Sequence, residues 1–99
     1  MTRKILPTED VLEKMEHLLS ITADYTRLKI LCALLDGPKY VGELQDIVDA
    51  SQSLISHQLK VLKDASLVKN EREGNRVSYS LSDDHVASLL SVVFDHASE

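Results

Sequence analysis

Ninety-nine residues, 43% of them hydrophobic and 27% charged, with three glycines and two prolines, suit one small folded domain and exclude a disordered chain. No apolar run nears the roughly 18 residues of a membrane span, and Met1-Thr2-Arg3-Lys4 is too polar for a signal-peptide core, so a cytoplasmic protein without a membrane partner is expected. Cys32 is the single cysteine, which excludes an internal disulfide and a cysteine-only zinc site, and the net charge of −5 taken whole opposes nucleic acid binding.

Thr8 is a suitable N-cap, with Glu9 and Asp10 in the first turn where the helix dipole favours them. Val11, Leu12, Met15, Leu18 and Leu19 then trace a helical stripe to about Ser20. A second helix is predicted over Ala23–Asp36, with Leu28, Leu31, Cys32 and Leu35 inward, stopped by Gly37-Pro38. A short helix over Val41–Val48 turns Val41, Leu44 and Val48 inward, and another runs from Ser51 to about Lys63. Then the period changes to two. Val77, Tyr79 and Leu81 alternate with Arg76, Ser78 and Ser80, and Gly74-Asn75 separates this run from Leu67–Arg72, which predicts a β-hairpin. Val86, Leu89, Leu90, Val93, Phe94 and Ala97 return to helical spacing and predict a long amphipathic last helix.

The expected fold is mainly α with a small β-hairpin, in the order α-α-α-α-β-β-α. Two helices joined at Asp49-Ala50 and followed directly by a hairpin form a winged helix-turn-helix, with the helix-turn-helix over about 41–63, the wing over 67–81 and the last helix over 83–97 of one domain, 1–99. The charge follows the same division. It is −3 over residues 1–49, +2 over 50–80, and −4 over 81–99. A locally basic middle therefore sits between acidic ends.

Within Ser51–Lys63, Ile55, Leu59 and Leu62 form the inward stripe, while Ser53, Ser56, His57 and Lys60 share another face. Short hydrogen-bonding side chains followed by a cation suit a helix in a major groove, with polar tips for base edges and Lys for phosphate. Gln52 can present its amide to adenine, and Arg72 and Arg76 bracket the wing tip. An ordinary solvated face is the competing reading of such a stripe.

The run Ser51-Gln52-Ser53-Leu54-Ile55-Ser56-His57-Gln58-Leu59-Lys60-Val61-Leu62-Lys63, with Asp24-Tyr25-Thr26-Arg27-Leu28-Lys29-Ile30-Leu31, resembles the ArsR/SmtB family of winged-helix metal-sensing repressors. The similarity extends from about residue 8 to 99. It implies base and backbone contacts by Gln52, Ser53, Ser56 and His57. His57 has no His, Cys or acidic residue three or four positions away, which favours DNA over metal.

The last helix carries the metal chemistry. His85 and His96 lie on one side of it but about 16 Å apart, too far to share an ion. His96 and Glu99 are three apart and can converge. Asp83 reaches His85 only from a non-helical N-cap position. Each chain thus offers two half-sites, and antiparallel packing of two copies brings Asp83 and His85 of one to His96 and Glu99 of the other. The spacing resembles the fifth-helix site of the family's zinc sensors residue for residue. Two nitrogens and two oxygens suit zinc and tolerate cobalt. Helix N-capping by Asp83 and dipole stabilisation by His96 are the plain structural alternatives. The Cys-x-Cys that marks the family's arsenic, cadmium and lead sensors is absent from Gly42-Glu43-Leu44-Gln45-Asp46, Cys32 is expected in the core, and His17 at the surface or an interface.

These expectations combine into a non-enzymatic homodimeric repressor, joined through its terminal helices, whose zinc-free form binds an inverted-repeat operator in double-stranded DNA and whose zinc-bound form releases efflux or resistance genes. The alternatives are a winged-helix DNA- or protein-binding regulator that responds to nickel, cobalt or no metal, and a small zinc hydrolase. The hydrolase is disfavoured because four protein ligands leave no open position for water.

Overall fold

The computed structural model describes residues 5–99; residues 1–4, on which the reading of a polar chain start rests, lie outside them. The elements are α1 (Glu9–Thr22), α2 (Tyr25–Ala33), β1 (Lys39–Tyr40), α3 (Val41–Val48), α4 (Gln52–Asp64), β2 (Val68–Glu73), β3 (Arg76–Leu81) and α5 (Asp84–Ala97). Four helices begin where a side-chain oxygen accepts an otherwise free amide. Thr8 Oγ1 accepts from Val11 N at 3.4 Å, Asp24 Oδ2 from Arg27 N at 2.9 Å, Ser51 Oγ from Leu54 N at 3.2 Å, and Asp83 Oδ1 from Val86 N at 3.1 Å. At α3 the Tyr40 backbone N–H donates to Glu43 Oε1 at 2.9 Å.

Asp24 decides where α2 starts, so that helix is shorter than the predicted Ala23–Asp36. At its far end Leu34 N donates to both Ile30 O and Leu31 O, and Leu35 N to Cys32 O, so the last turn tightens ahead of Gly37, whose φ is 134°. The connection from α3 to α4 turns on Asp49 in the left-handed region, with φ 58°, a conformation Asp tolerates better than most residues.

The core is Ile30, Leu31 and Leu34 of α2, Leu44 and Val48 of α3, Ile55, Leu59 and Leu62 of α4, Leu67 and Val68 leading into the wing, and Val86 and Leu90 of α5. The inward face of α2 is thus rotated from the predicted one. Leu28, Cys32 and Leu35 are only half-buried, so Cys32 is a flank residue rather than a core one. Helix α1 buries no residue, and Val11, Leu12, Met15, Leu18 and Leu19 stay exposed, as do Leu89, Val92, Val93 and Phe94 of α5.

The hairpin gains a third strand that the sequence reading omits. The sheet order is β1-β3-β2, all antiparallel, with Lys39 opposite Tyr79 and Tyr40 opposite Ser78. Two residues are too few to show a period, which leaves β1 illegible in the sequence. Its presence makes β3 central and covers the face opposite Tyr79 and Leu81, the two residues that pack on the core. Ser78 is buried, at 7% exposure, while Val77, Tyr79 and Leu81 are half-buried.

Candidate functional site

Ile55, Leu59 and Leu62 fasten α4 to the core with no exposed surface, which leaves the opposite face outward. Gln52, Ser53, Ser56, His57 and Lys60 are all exposed there. Two of these groups have local partners. Ser51 Oγ and Ser53 Oγ lie 3.4 Å apart, and Lys60 Nζ donates to Asp64 Oδ2 at 3.2 Å. The Lys60 pair is exposed and one turn apart, so it is weak and leaves the ammonium free to exchange to a phosphate. Gln58, between His57 and Leu59, points another way. Its Oε1 accepts from Arg27 Nη1 at 2.9 Å, a contact the sequence reading missed because it joins residues 31 apart.

The wing is braced next to its tip. Tyr40 Oη donates to Glu73 Oε1 at 2.7 Å, Ser78 Oγ donates to Glu73 Oε2 at 2.8 Å, and the Arg76 guanidinium carbon stands 3.5 Å from the centroid of the Tyr40 ring. The Tyr40 hydroxyl, and then the Ser78 hydroxyl, hold the Glu73 carboxyl below the ordinary glutamate range. The same bond pushes the Tyr40 phenol up, because its proton is engaged by Glu73. Arg76 is therefore held on the wing by its neighbour. Arg72 makes only a long contact from Nη1 to Gly74 O, at 3.5 Å, and is the freer cation at the tip.

The metal candidates sit at the two ends of α5. Asp83 is the N-cap, with extended backbone (φ −162°, ψ 179°), the position from which its carboxylate can reach His85. His85 Nδ1 is 3.7 Å from Asp83 Oδ1, and His96 Nδ1 is 4.0 Å from Glu99 Oε2. Both imidazoles are open to solvent, at 97% and 85% exposure. Among the described residues no three His, Cys, Asp or Glu side chains converge on one point, so within a single chain each end supplies two donors. His17 is exposed on α1, beside Glu13 and Asp64. Cys32 borders a small apolar hollow with Tyr25, Leu28 and Lys29.

A core-anchored helix with a polar outer face, preceded by a short helix and a tight turn and followed by a braced hairpin, defines a winged helix-turn-helix. The model of bacterial regulatory proteins of the arsR family matches residues 24–70, from the α2 cap into the wing. The chain is 39% identical over 90 residues to the transcriptional repressor SmtB homolog of Synechocystis sp., covering 91% of this chain and 68% of that protein. It is 38% identical over 78 residues to the cadmium resistance transcriptional regulatory protein CadC homolog of Staphylococcus aureus, covering 78% and 64%. The solution structure of a homodimeric winged helix-turn-helix DNA-binding domain from Mycobacterium bovis, a possible ArsR-family transcriptional regulator, superposes with a TM-score of 0.86 at 27% identity, covering 100% of this chain and 92% of that one.

The chain belongs to the ArsR/SmtB family of helix-turn-helix regulators. It spans about two thirds of the length of the curated relatives it matches. These relatives are transcriptional regulators, a non-enzymatic class. Among the described residues no helix is long and apolar enough to cross a membrane.

Proposed function

We propose that this chain is a dimeric, zinc-responsive repressor whose metal-free form binds an inverted-repeat operator. Gln52, Ser53, Ser56 and His57 would read base edges and backbone, and Lys60, Arg72 and Arg76 would meet phosphates. The outward face of α4 and the cations of the wing support this reading. The uncovered apolar stripes of α1 and α5 support a second copy of the chain as their partner, since exposed apolar patches of this extent mark interaction surfaces.

The observation that carries the metal reading is the pairing at both ends of α5: an imidazole within about 4 Å of a carboxylate, twice, on a helix with an uncovered apolar face. The donor set fits zinc or cobalt. Imidazole nitrogen and carboxylate oxygen are borderline to hard donors, and no thiolate is present to favour a softer ion. Asp83 and His85 of one protomer with His96 and Glu99 of the other would complete four ligands, twice per dimer. One relative's name mentions cadmium resistance and none mentions zinc, so the choice of zinc rests on these donors.

Bound metal would supply positive charge to an acidic dimer, and by long-range electrostatics that favours DNA. A loss of operator affinity must therefore arise from conformation or dynamics, with the His96 ring as the link, its second nitrogen free to engage a backbone carbonyl. Fluorescence anisotropy on operator DNA tests this directly. Zinc should weaken wild-type binding, and His96→Asn should bind the operator normally while ignoring zinc. A full zinc response in His96→Asn would sink the assignment. The Co²⁺ absorption spectrum separates a tetrahedral from a six-coordinate site.

A further inference from the structure

Arg27 stands where three helices meet. Its Nε donates to Ile21 O at 2.7 Å, in the last turn of α1, and its Nη1 donates to Gln58 Oε1 at 2.9 Å, in the middle of α4. The Ile21 carbonyl is one of the four at a helix C-terminus that lack an intrahelical partner, and a cation there also meets the negative end of the helix dipole. The fork itself is set from behind, because the Arg27 backbone amide is fixed by Asp24 Oδ2 at 2.9 Å. Among the described residues this is the one side-chain hydrogen-bonded link from α4 to the helices before it.

Its importance follows from how little else holds α1. That helix buries no residue, and Ile21 is its half-buried contact with the core. Its apolar stripe faces away, toward what we read as the partner subunit. The orientation of the dimer face relative to the recognition helix therefore depends on the junction that Arg27 spans. In a two-fold dimer this orientation sets the distance and the rotation between two recognition helices.

We propose that Arg27 is a positioning residue that fixes the half-site spacing this regulator accepts on DNA, acting through Gln58 beside His57. The inference rests on the dimeric DNA-binding reading above. One base pair more or less between half-sites displaces them by about 3.4 Å and rotates them by about a tenth of a turn. A link of two short, directional bonds resists such a change. Arginine suits the task because one rigid plane carries both donors, and lysine cannot present two in this fork geometry.

The test uses the intact chain and a duplex selected from a random library, with its central spacer then lengthened or shortened by one base pair. Wild type should discriminate against the altered spacers by about tenfold or more. Arg27→Lys and Gln58→Met should reduce that ratio to about threefold or less, and the double variant should reduce it no further, since both remove one interaction. Gln58→Glu keeps an acceptor oxygen for Arg27. It should lose overall affinity, because it adds an acid near phosphate, yet keep the wild-type spacing ratio. Sedimentation confirms that each variant is dimeric. Dimeric Arg27→Lys and Gln58→Met proteins with the wild-type ratio overturn the assignment, and so does a Gln58→Glu protein that loses it. If wild type selects no DNA, or binds without regard to spacing, the underlying reading fails and this one with it.

Discussion

Phe94→Ala on α5 tests the dimer reading on which both the shared metal sites and the spacing argument depend. Phe94 is 57% exposed in the single chain and contributes nothing to the core, so its loss should leave the protomer fold intact. Full burial of a phenylalanine side chain stabilises by about 1.5–3 kcal/mol, and covering the exposed part recovers about half of that. A two-fold interface uses the residue twice. The truncation keeps one methyl group, so the dimer should weaken by about 2 kcal/mol, or about 30-fold in its dissociation constant. Sedimentation equilibrium over a concentration series measures the constant directly. Concentration-dependent thermal melts give a second reading of the same linkage. A dissociation constant within about threefold of wild type, with helical content unchanged, would refute the placement of Phe94 in the interface.

Leu59→Ala removes a fully buried side chain from the face that anchors α4, and urea unfolding should show a loss of about 2–5 kcal/mol; a loss below about 1 kcal/mol would contradict the described packing. Ser66 closes the C-terminus of α4 in the left-handed region, with φ 62° and Leu67 N bonded to Leu62 O, so Ser66→Gly should stabilise by about 0.5–1 kcal/mol in the same assay. Glu73 has its pKa lowered on folding, so its contribution is present above the unfolded glutamate value and is lost as pH falls through the folded one. Tyr40 is raised, so its contribution is lost only as pH rises through its folded value, far above neutrality. Thermal melts of Glu73→Gln should therefore converge on wild type in acid and fall below it at neutral pH; a constant offset would count against the brace. Arg72→Ala should flatten the salt dependence of DNA binding by about 0.9 in log-log slope, the loss of one phosphate contact.

Much of the fold and of the candidate site is legible in the sequence because it is local. Caps such as Thr8, Ser51 and Asp83 act over three residues, and the stripe Ile55, Leu59 and Leu62 repeats at helical spacing, so adjacent residues carry both signals. The convergence of His96 with Glu99 follows from one helical turn. The errors have a common origin. Helix α2 is apolar on two faces, one through Leu28, Cys32 and Leu35 and one through Ile30, Leu31 and Leu34, and only packing selects the second as the core. Ser78 is likewise decided by packing: the period of two places it opposite Tyr79 and Leu81, and Tyr40 and Glu73 bury it on that face.

The sequence by itself determined which segments are helical, which face of α4 stays polar, and that the two α5 histidines cannot share one ion. Tertiary structure decided the rest, through contacts between residues far apart in the chain. Pairing of β1 with β3 laid Tyr40 beside Ser78, covering it on the face opposite Tyr79 and Leu81, and brought Tyr40 to Glu73, across 33 residues. The Arg27 fork joined α1 to α4, its bond to Gln58 spanning 31. Hydrogen bonds of this kind leave no period in the sequence, because their partners are chosen by how the elements pack rather than by their spacing along the chain.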